Sequence, residues 1–111
     1  FAQSQNPAQT IQMNGQKIQS NAKMIDLKQR QILALDKNIK SLERQHTVLA
    51  FKYGRALGTF KAVAIAIDMK QNREEVKLKK LEIESLQTEI EILHEENELL
   101  AEQNEFLSRT N

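Results

Sequence analysis

The sequence predicts an all-α protein built on coiled-coil packing, and three observations predict it. Isoleucine and leucine recur every seven residues over most of the chain. The only proline is Pro7, and the three glycines are too few for the frequent turns of a β-sandwich or barrel. Cysteine is absent, so a disulfide framework and a thiolate metal site are both excluded.

The first helix is expected to begin at Pro7. Asn6 carries a side-chain oxygen suited to an N-cap, proline suits the first helical position, and Gln9 stands where a capping box has its second partner. Residues 1–6 are uncharged and mostly polar, which predicts a disordered tail. The chain begins with Phe1 rather than Met, which leads us to expect a piece of a longer protein.

A first heptad frame is predicted over residues 7–67, the N-terminal basic helix. Stepping by seven from Ile11 gives its a positions, and its d positions lie three residues after each of these. From Ile32 onward both stripes are largely apolar, over more heptads than the three to four that identify a coiled coil. The polar exceptions along the two stripes are Asn14, Asn21, Lys28 and His46. The seam is predicted to be strongest at Ile32, Leu35, Ile39, Leu42, Leu49, Ala56, Phe60, Val63 and Ile67.

A second frame is predicted at the acidic C-terminal end, residues 78–109 with Val76 just ahead, and its leucines resemble those of a leucine zipper. Four leucines at d follow one another at a spacing of seven, with β-branched residues and then asparagine at a. β-Branched a with leucine d favours two parallel strands, and asparagine at a fixes register and dimeric state. The predicted seam residues are Val76, Ile83, Leu86, Ile90, Leu93, Asn97, Leu100, Asn104 and Leu107.

The two frames do not join, because Ile67 and Val76 lie nine residues apart instead of seven. The polar stretch 68–77 between them contains neither glycine nor proline. We interpret it as a local skip in one continuous helix, which pairs with a second copy as a parallel two-stranded coiled coil. The alternatives are a hinge or a turn at this point, and a turn would give an antiparallel helical hairpin or bundle.

Two rows of residues outside the seam predict a second face for a partner. Small residues four apart let the backbone of another helix approach closely, and these are Ala50, Gly54, Gly58, Ala62 and Ala66. Large apolar residues also recur at position c of the second frame, and these are Leu78, Ile92, Leu99 and Phe106. Because exposed apolar rows usually mark a contact, we expect a further helix to pack there.

The charge distribution opposes the parallel arrangement. Residues 1–61 carry ten basic and three acidic side chains, whereas residues 62–111 carry six basic and twelve acidic ones. A parallel dimer would stack like charges, and a hairpin or an antiparallel pair would bring opposite charges together. Exposed ion pairs contribute only about 0–1 kcal/mol each and are screened by salt, so we weigh the seam residues more heavily.

The sequence gives no indication of an enzyme. It contains no zinc-protease, phosphate-loop, dinucleotide-binding or nucleophile-elbow motif, so no catalytic residue, metal ligand or cofactor is expected. A basic-zipper DNA reader is excluded because Val76 and Asp68 stand where that motif has arginine and asparagine. No stretch has the length of a signal peptide's apolar region or of a membrane span, and the sequence assigns no compartment.

We therefore expect a structural coiled-coil segment that dimerises, spaces or tethers the domains of a larger protein. Its partner is expected to be itself, as a homodimer or a higher oligomer, with other proteins bound through attached domains or the second apolar face. Two other interpretations stay open. One is a helical binding module that docks a partner helix, and the other is a tether in which the basic segment holds a membrane or a polyanion.

Overall fold

The computed structural model describes residues 6–110 and contains two α-helices packed as a hairpin. Helix α1 spans Pro7–Ala56 and helix α2 spans Phe60–Thr110. The all-α class is therefore confirmed, and the architecture is the hairpin that the sequence offered as the alternative to one continuous helix. Of the predicted tail 1–6, all but Asn6 lies outside the described residues.

Helix α1 begins where the sequence predicts it. The side-chain Oδ1 of Asn6 accepts a hydrogen bond from the backbone N–H of Gln9 at 2.8 Å. This N-cap satisfies one of the first-turn N–H groups, which have no partner inside the helix. The carbonyl of Asn6 accepts the first bond of the helical ladder, from the N–H of Thr10 at 3.2 Å.

A short turn over residues 57–59 separates the helices. Gly58 has φ +88°, in the left-handed region that glycine enters without the steric cost of a Cβ. The N–H and Oγ1 of Thr59 both donate to the carbonyl of Ala56, at 3.1 and 2.6 Å, and so cap the end of α1. The prediction of a continuous helix over 7–67 is therefore wrong, because the turn ends α1 at Ala56.

Each helix uses its heptad spacing to bury one stripe. All a and d positions of the first frame from Ile11 to Ala56 are buried or half-buried. The a and d positions of the second frame, extended back from Val76 through the polar stretch 68–77 to Ala62, are also buried or half-buried. Helix α2 is uninterrupted over that stretch, so the change of frame coincides with the turn.

Three residues of the predicted seam are therefore exposed. Phe60 is 95% exposed, Val63 59% and Ile67 53%. They were assigned by the first frame, but that frame ends with α1, and residues after the turn follow the second frame. Ala62 and Ile65 take the buried positions of α2 there, at 7% and 8% exposure.

The chain divides into two compact units, each made from a segment of both helices. Unit 1 combines residues 1–29 with 86–111, and unit 2 comprises residues 30–85 and contains the turn. Ile25 is the buried apolar residue of unit 1, whereas unit 2 buries Ile39, Ala62 and Ile65. Two helices cannot enclose a wide core, so most other apolar side chains in each unit keep some contact with solvent.

Candidate interaction surfaces

Two asparagine pairs join the helices of unit 1 with the same geometry. Asn14 Nδ2 donates to Asn104 Oδ1 at 2.9 Å, and Asn21 Nδ2 donates to Asn97 Oδ1 at 2.9 Å. The residue numbers of both pairs add up to 118, so the two helices of this unit run antiparallel in a single register. Each d position of α1 consequently lies opposite an a position of α2.

Backbone carbonyls complete the two polar layers. Asn104 Nδ2 donates to the carbonyl of Ile11 at 3.2 Å, and Asn97 Nδ2 donates to that of Ile18 at 3.4 Å. Each carbonyl belongs to the residue three positions before the asparagine's partner on α1, so the pattern repeats after one heptad. The repeated pattern ties side-chain amides of α2 to the backbone of α1 twice.

Burial makes these pairs specific. Asn21 is 2% exposed, and its amide also donates to Glu96 Oε1 at 2.5 Å. An amide buried opposite an apolar side chain would lose its hydrogen bonds to water without replacing them. The pairs therefore stabilise the observed register and disfavour alternatives.

The leucine-zipper pattern predicted Asn97 and Asn104 in a parallel dimer, in which each would face its own copy. In this chain they face Asn21 and Asn14 instead, because antiparallel helices place position a opposite position d. The signal was present in the polar d residues at the N-terminal end of the first frame. Lys28, the next of these, reaches Glu89 Oε1 with its Nζ at 2.5 Å.

In unit 2 one polar layer lies within the seam. Asn72 is 7% exposed and donates its Nδ2 to the carbonyl of Leu42 at 2.9 Å. His46 of α1 and Asn72 of α2 line the same groove in this unit. The Nδ1 of His46 is buried, and no hydrogen-bond partner for it occurs among the described residues. Each stripe thus contributes a polar residue to this groove.

The other predicted seam residues are buried or half-buried, and the two helices of one chain provide that burial. They are Ile32, Leu35, Ile39, Leu42, Leu49 and Ala56 in α1, and Val76, Ile83, Leu86, Ile90, Leu93, Leu100 and Leu107 in α2. Three further residues of the seam, Ile65, Met69 and Asn72, were not predicted from the sequence. Stepping the second frame back by seven from Val76 and Lys79 would have found them.

The predicted row of small residues does not form one ridge. Ala50 and Gly54 are exposed on α1, Gly58 lies in the turn, and Ala62 is buried while Ala66 is exposed on α2. Residues four apart share a face only within one uninterrupted helix, and the turn divides this row. The prediction that these small residues form one docking face is therefore wrong.

The predicted apolar row at position c of α2 is exposed. Leu78 in unit 2 and Ile92, Leu99 and Phe106 in unit 1 each have more than half of their surface in contact with solvent. In unit 1, Glu95 and Glu102 are exposed beside this row, because each lies three residues after one of its members. We call Ile92, Leu99 and Phe106, with these two carboxylates, the acidic strip.

A groove of about 650 Å³ lies beside the seam in unit 2. Val76 and Leu81 contribute apolar surface to its mostly apolar lining, together with His46, Thr47 and Asn72 of the seam region. The cations that line it are Arg73, Lys77 and Lys80, and Glu43 is its one carboxylate. We call this feature the basic groove.

The two units carry opposite net charge. Unit 1 has four basic and eight acidic residues, a net charge of −4, and unit 2 has twelve basic and seven acidic residues, a net charge of +5. Together they give the +1 of the whole chain. The acidic strip thus lies in the unit with negative net charge, and the basic groove lies in the unit with positive net charge.

Among the described residues, no group of three or more His, Asp or Glu side chains is arranged to hold a metal ion. Neither helix contains, within residues 6–110, a segment long and apolar enough to cross a membrane. Comparison with protein-family models, curated proteins and solved structures finds no match.

Proposed function

We propose that this chain is a structural interaction module, an antiparallel coiled coil whose exposed apolar rows dock helices of other chains. The observation that carries the proposal is the apolar row at position c of α2, which is exposed although the seam positions of the same helix are covered. In a two-stranded coiled coil that binds no other chain, position c faces solvent, where a large apolar side chain stabilises nothing. Rows of this kind usually mark a contact.

The seam itself is occupied in the hairpin, so association with other chains falls to the outer surface. A parallel homodimer through the seam would have to separate the asparagine pairs and bury each amide against a new partner. Docking on the c row leaves every one of those bonds in place. We therefore assign oligomerisation and scaffolding to the outer rows rather than to the zipper-like leucines.

Exposed apolar side chains of both helices contribute to the surface of unit 1. Met13 and Leu27 occupy position c of α1 and are more than half exposed, as Ile92 and Leu99 are on α2. In an antiparallel pair, position c of both helices lies beside the same edge of the seam. A further helix placed between the two rows would cover apolar side chains from both. This is the helix-in-groove mode of recognition, and it includes no catalytic step or cofactor.

The proposal is tested with designed amphipathic helical peptides, one neutral, one acidic and one basic, titrated onto the immobilised chain. We expect at least one of them to bind, and Ile92→Ser with Leu99→Ser to weaken that binding about tenfold or more, because each loses apolar area worth roughly 1.5–3 kcal/mol. Leu33→Ser is the matched control, because Leu33 is equally apolar and 62% exposed at position b. Absence of binding by all three peptides, or equal weakening by the control, would contradict the proposal.

A polyanion tether is the second candidate, and the net charge of +5 on unit 2 supports it. Electrostatic binding of this kind weakens steeply with salt, because it releases condensed counterions. The chain should then sediment with anionic vesicles, or retard a DNA duplex, at about 0.05 M salt and release both at about 0.5 M. No binding to either at low salt would remove this candidate.

A further inference from the structure

We propose that the partner of the exposed row in unit 1 is a second copy of this chain: the acidic strip of one copy enters the basic groove in unit 2 of the other. The inference rests on the function proposed above and names its partner. The acidic strip and the basic groove are the two surfaces in contact, and the contact between copies is head-to-tail.

The apolar chemistry of the two surfaces fits. Ile92, Leu99 and Phe106 project from one side of α2, and they are spaced at seven residues along it. The groove offers Val76 and Leu81 as apolar surface, with the aliphatic stems of its lysines alongside. Entry of the strip would remove apolar surface of both copies from water.

The charges fit as well. Glu95 and Glu102 flank the strip, and from Glu82 to Glu105 α2 contains no lysine or arginine. Arg73, Lys77 and Lys80 line the groove, and all three are exposed. Opposite charges at the edges of an apolar contact steer the partners together and fix their orientation. The net charges of −4 and +5 extend the same attraction over the whole of both units.

A second copy is the occupant that these surfaces specify. The strip and the three cations of the groove all lie on α2, a single α-helix, and a helix cannot fold back on itself without a break. Another copy supplies an acidic strip for every basic groove. The contact is heterologous, so it leads either to a closed ring or to an open chain of copies.

The contact is expected to be weak. Stable interfaces bury about 800 Å² on each partner, and a strip of three apolar side chains covers less than that. We therefore expect a dissociation constant on the order of 10 μM or weaker, with a strong dependence on salt. Mass measured at a single low concentration would miss it.

The test is sedimentation equilibrium of the full chain over a range of concentrations, at about 0.05 M and about 0.5 M salt. We expect the mass to rise with concentration at low salt and to fall toward the monomer at high salt. Lys77→Glu with Lys80→Glu, and separately Glu95→Lys with Glu102→Lys, should each weaken association about tenfold or more. The chain that carries all four changes should associate again, because its strip and groove are both reversed.

Lys23→Glu with Lys37→Glu is the matched control, since it makes the same change of net charge at exposed positions of α1 outside the groove. Circular dichroism checks that every variant keeps its helical content. A chain that stays monomeric at all concentrations overturns the inference, as does equal loss of association in the control. If the designed peptides still bind on the c row in that case, the proposed function stands and only the identity of the partner is wrong.

Discussion

Unit 1 and unit 2 pack the same heptad stripe, but they fix its register by different means. Unit 2 contains the turn, so the short connection through Gly58 aligns its helices directly. Unit 1 contains no connection, and there the two asparagine pairs align the helices. A slip of one heptad in unit 1 would separate Asn21 from Asn97: in one direction Asn21 would lie opposite Ile90, and in the other Asn97 would lie opposite Lys28. Covalent connection thus sets the register near the turn, and hydrogen bonds between seam asparagines set it in unit 1.

The largest expected effect compares the apolar packing of the two units. Ile25 in unit 1 and Ile39 in unit 2 are 7% and 5% exposed, both at position a of α1. We expect Ile25→Ala and Ile39→Ala each to lower the free energy of unfolding by about 2–5 kcal/mol, because each leaves a cavity in the seam. Urea denaturation followed by circular dichroism measures both.

Leu33→Ala is the control for this pair, because Leu33 is 62% exposed and its truncation should change stability by less than about 0.5 kcal/mol. A negligible effect of either isoleucine variant would show that the seam of that unit is not packed as described. Unequal losses would show which unit depends more on its apolar contacts.

The next effect tests the asparagine pairs directly. Asn21→Leu should destabilise the chain by about 1–3 kcal/mol, because it leaves the Oδ1 of Asn97 without its donor in the seam. Asn21→Leu with Asn97→Leu should recover most of that loss, since the layer is then apolar on both sides. In unit 2, Asn72→Leu should change stability by less than about 1.5 kcal/mol, because it removes one bond to a carbonyl. Strictly additive effects of the two changes in unit 1 would argue against the pairing.

The smallest expected effect concerns the turn. Gly58→Ala should cost about 1–2 kcal/mol, because its φ of +88° lies in the left-handed region, which is strained for any residue with a Cβ. Gly54→Ala should instead stabilise by up to about 1 kcal/mol, since Gly54 lies in the last turns of α1. A Cβ added at either glycine meets nothing within 4 Å, so only the backbone conformation distinguishes them. Thermal denaturation of both variants measures the difference, and equal shifts would place Gly58 in a helix.

Much of the local structure could be predicted from the sequence. The all-α class followed from the heptad spacing and the shortage of chain-breaking residues, and Asn6 was identified correctly as the N-cap. The exposed row from Leu78 to Phe106 was also found, because position c follows from the frame alone. These features depend on residues within a few turns of one another along a helix.

The turn and the partner of each stripe could not be derived in the same way. The sequence gives no reason to assign the turn to Gly58 instead of Gly54, and only the hairpin requires Gly58 to adopt a left-handed conformation. The nine-residue offset between the frames was visible in the sequence. The change of frame was predicted within the polar stretch 68–77, whereas in the structure it occurs at the turn over 57–59. The basic groove combines side chains of both helices, so it does not exist until the helices are paired.

Outside the turn over 57–59 and the first residues of α2 after it, the sequence by itself determined which residues are helical and which face of each helix is apolar, because heptad spacing and capping act within one helix. The tertiary structure decided what each face packs against. The a and d stripes are compatible with parallel or antiparallel pairing, since apolar contacts are not directional. The asparagine pairs distinguish the two, because a buried amide needs a partner at a defined distance and angle. Only the folded hairpin brings Asn14 to Asn104 and Asn21 to Asn97.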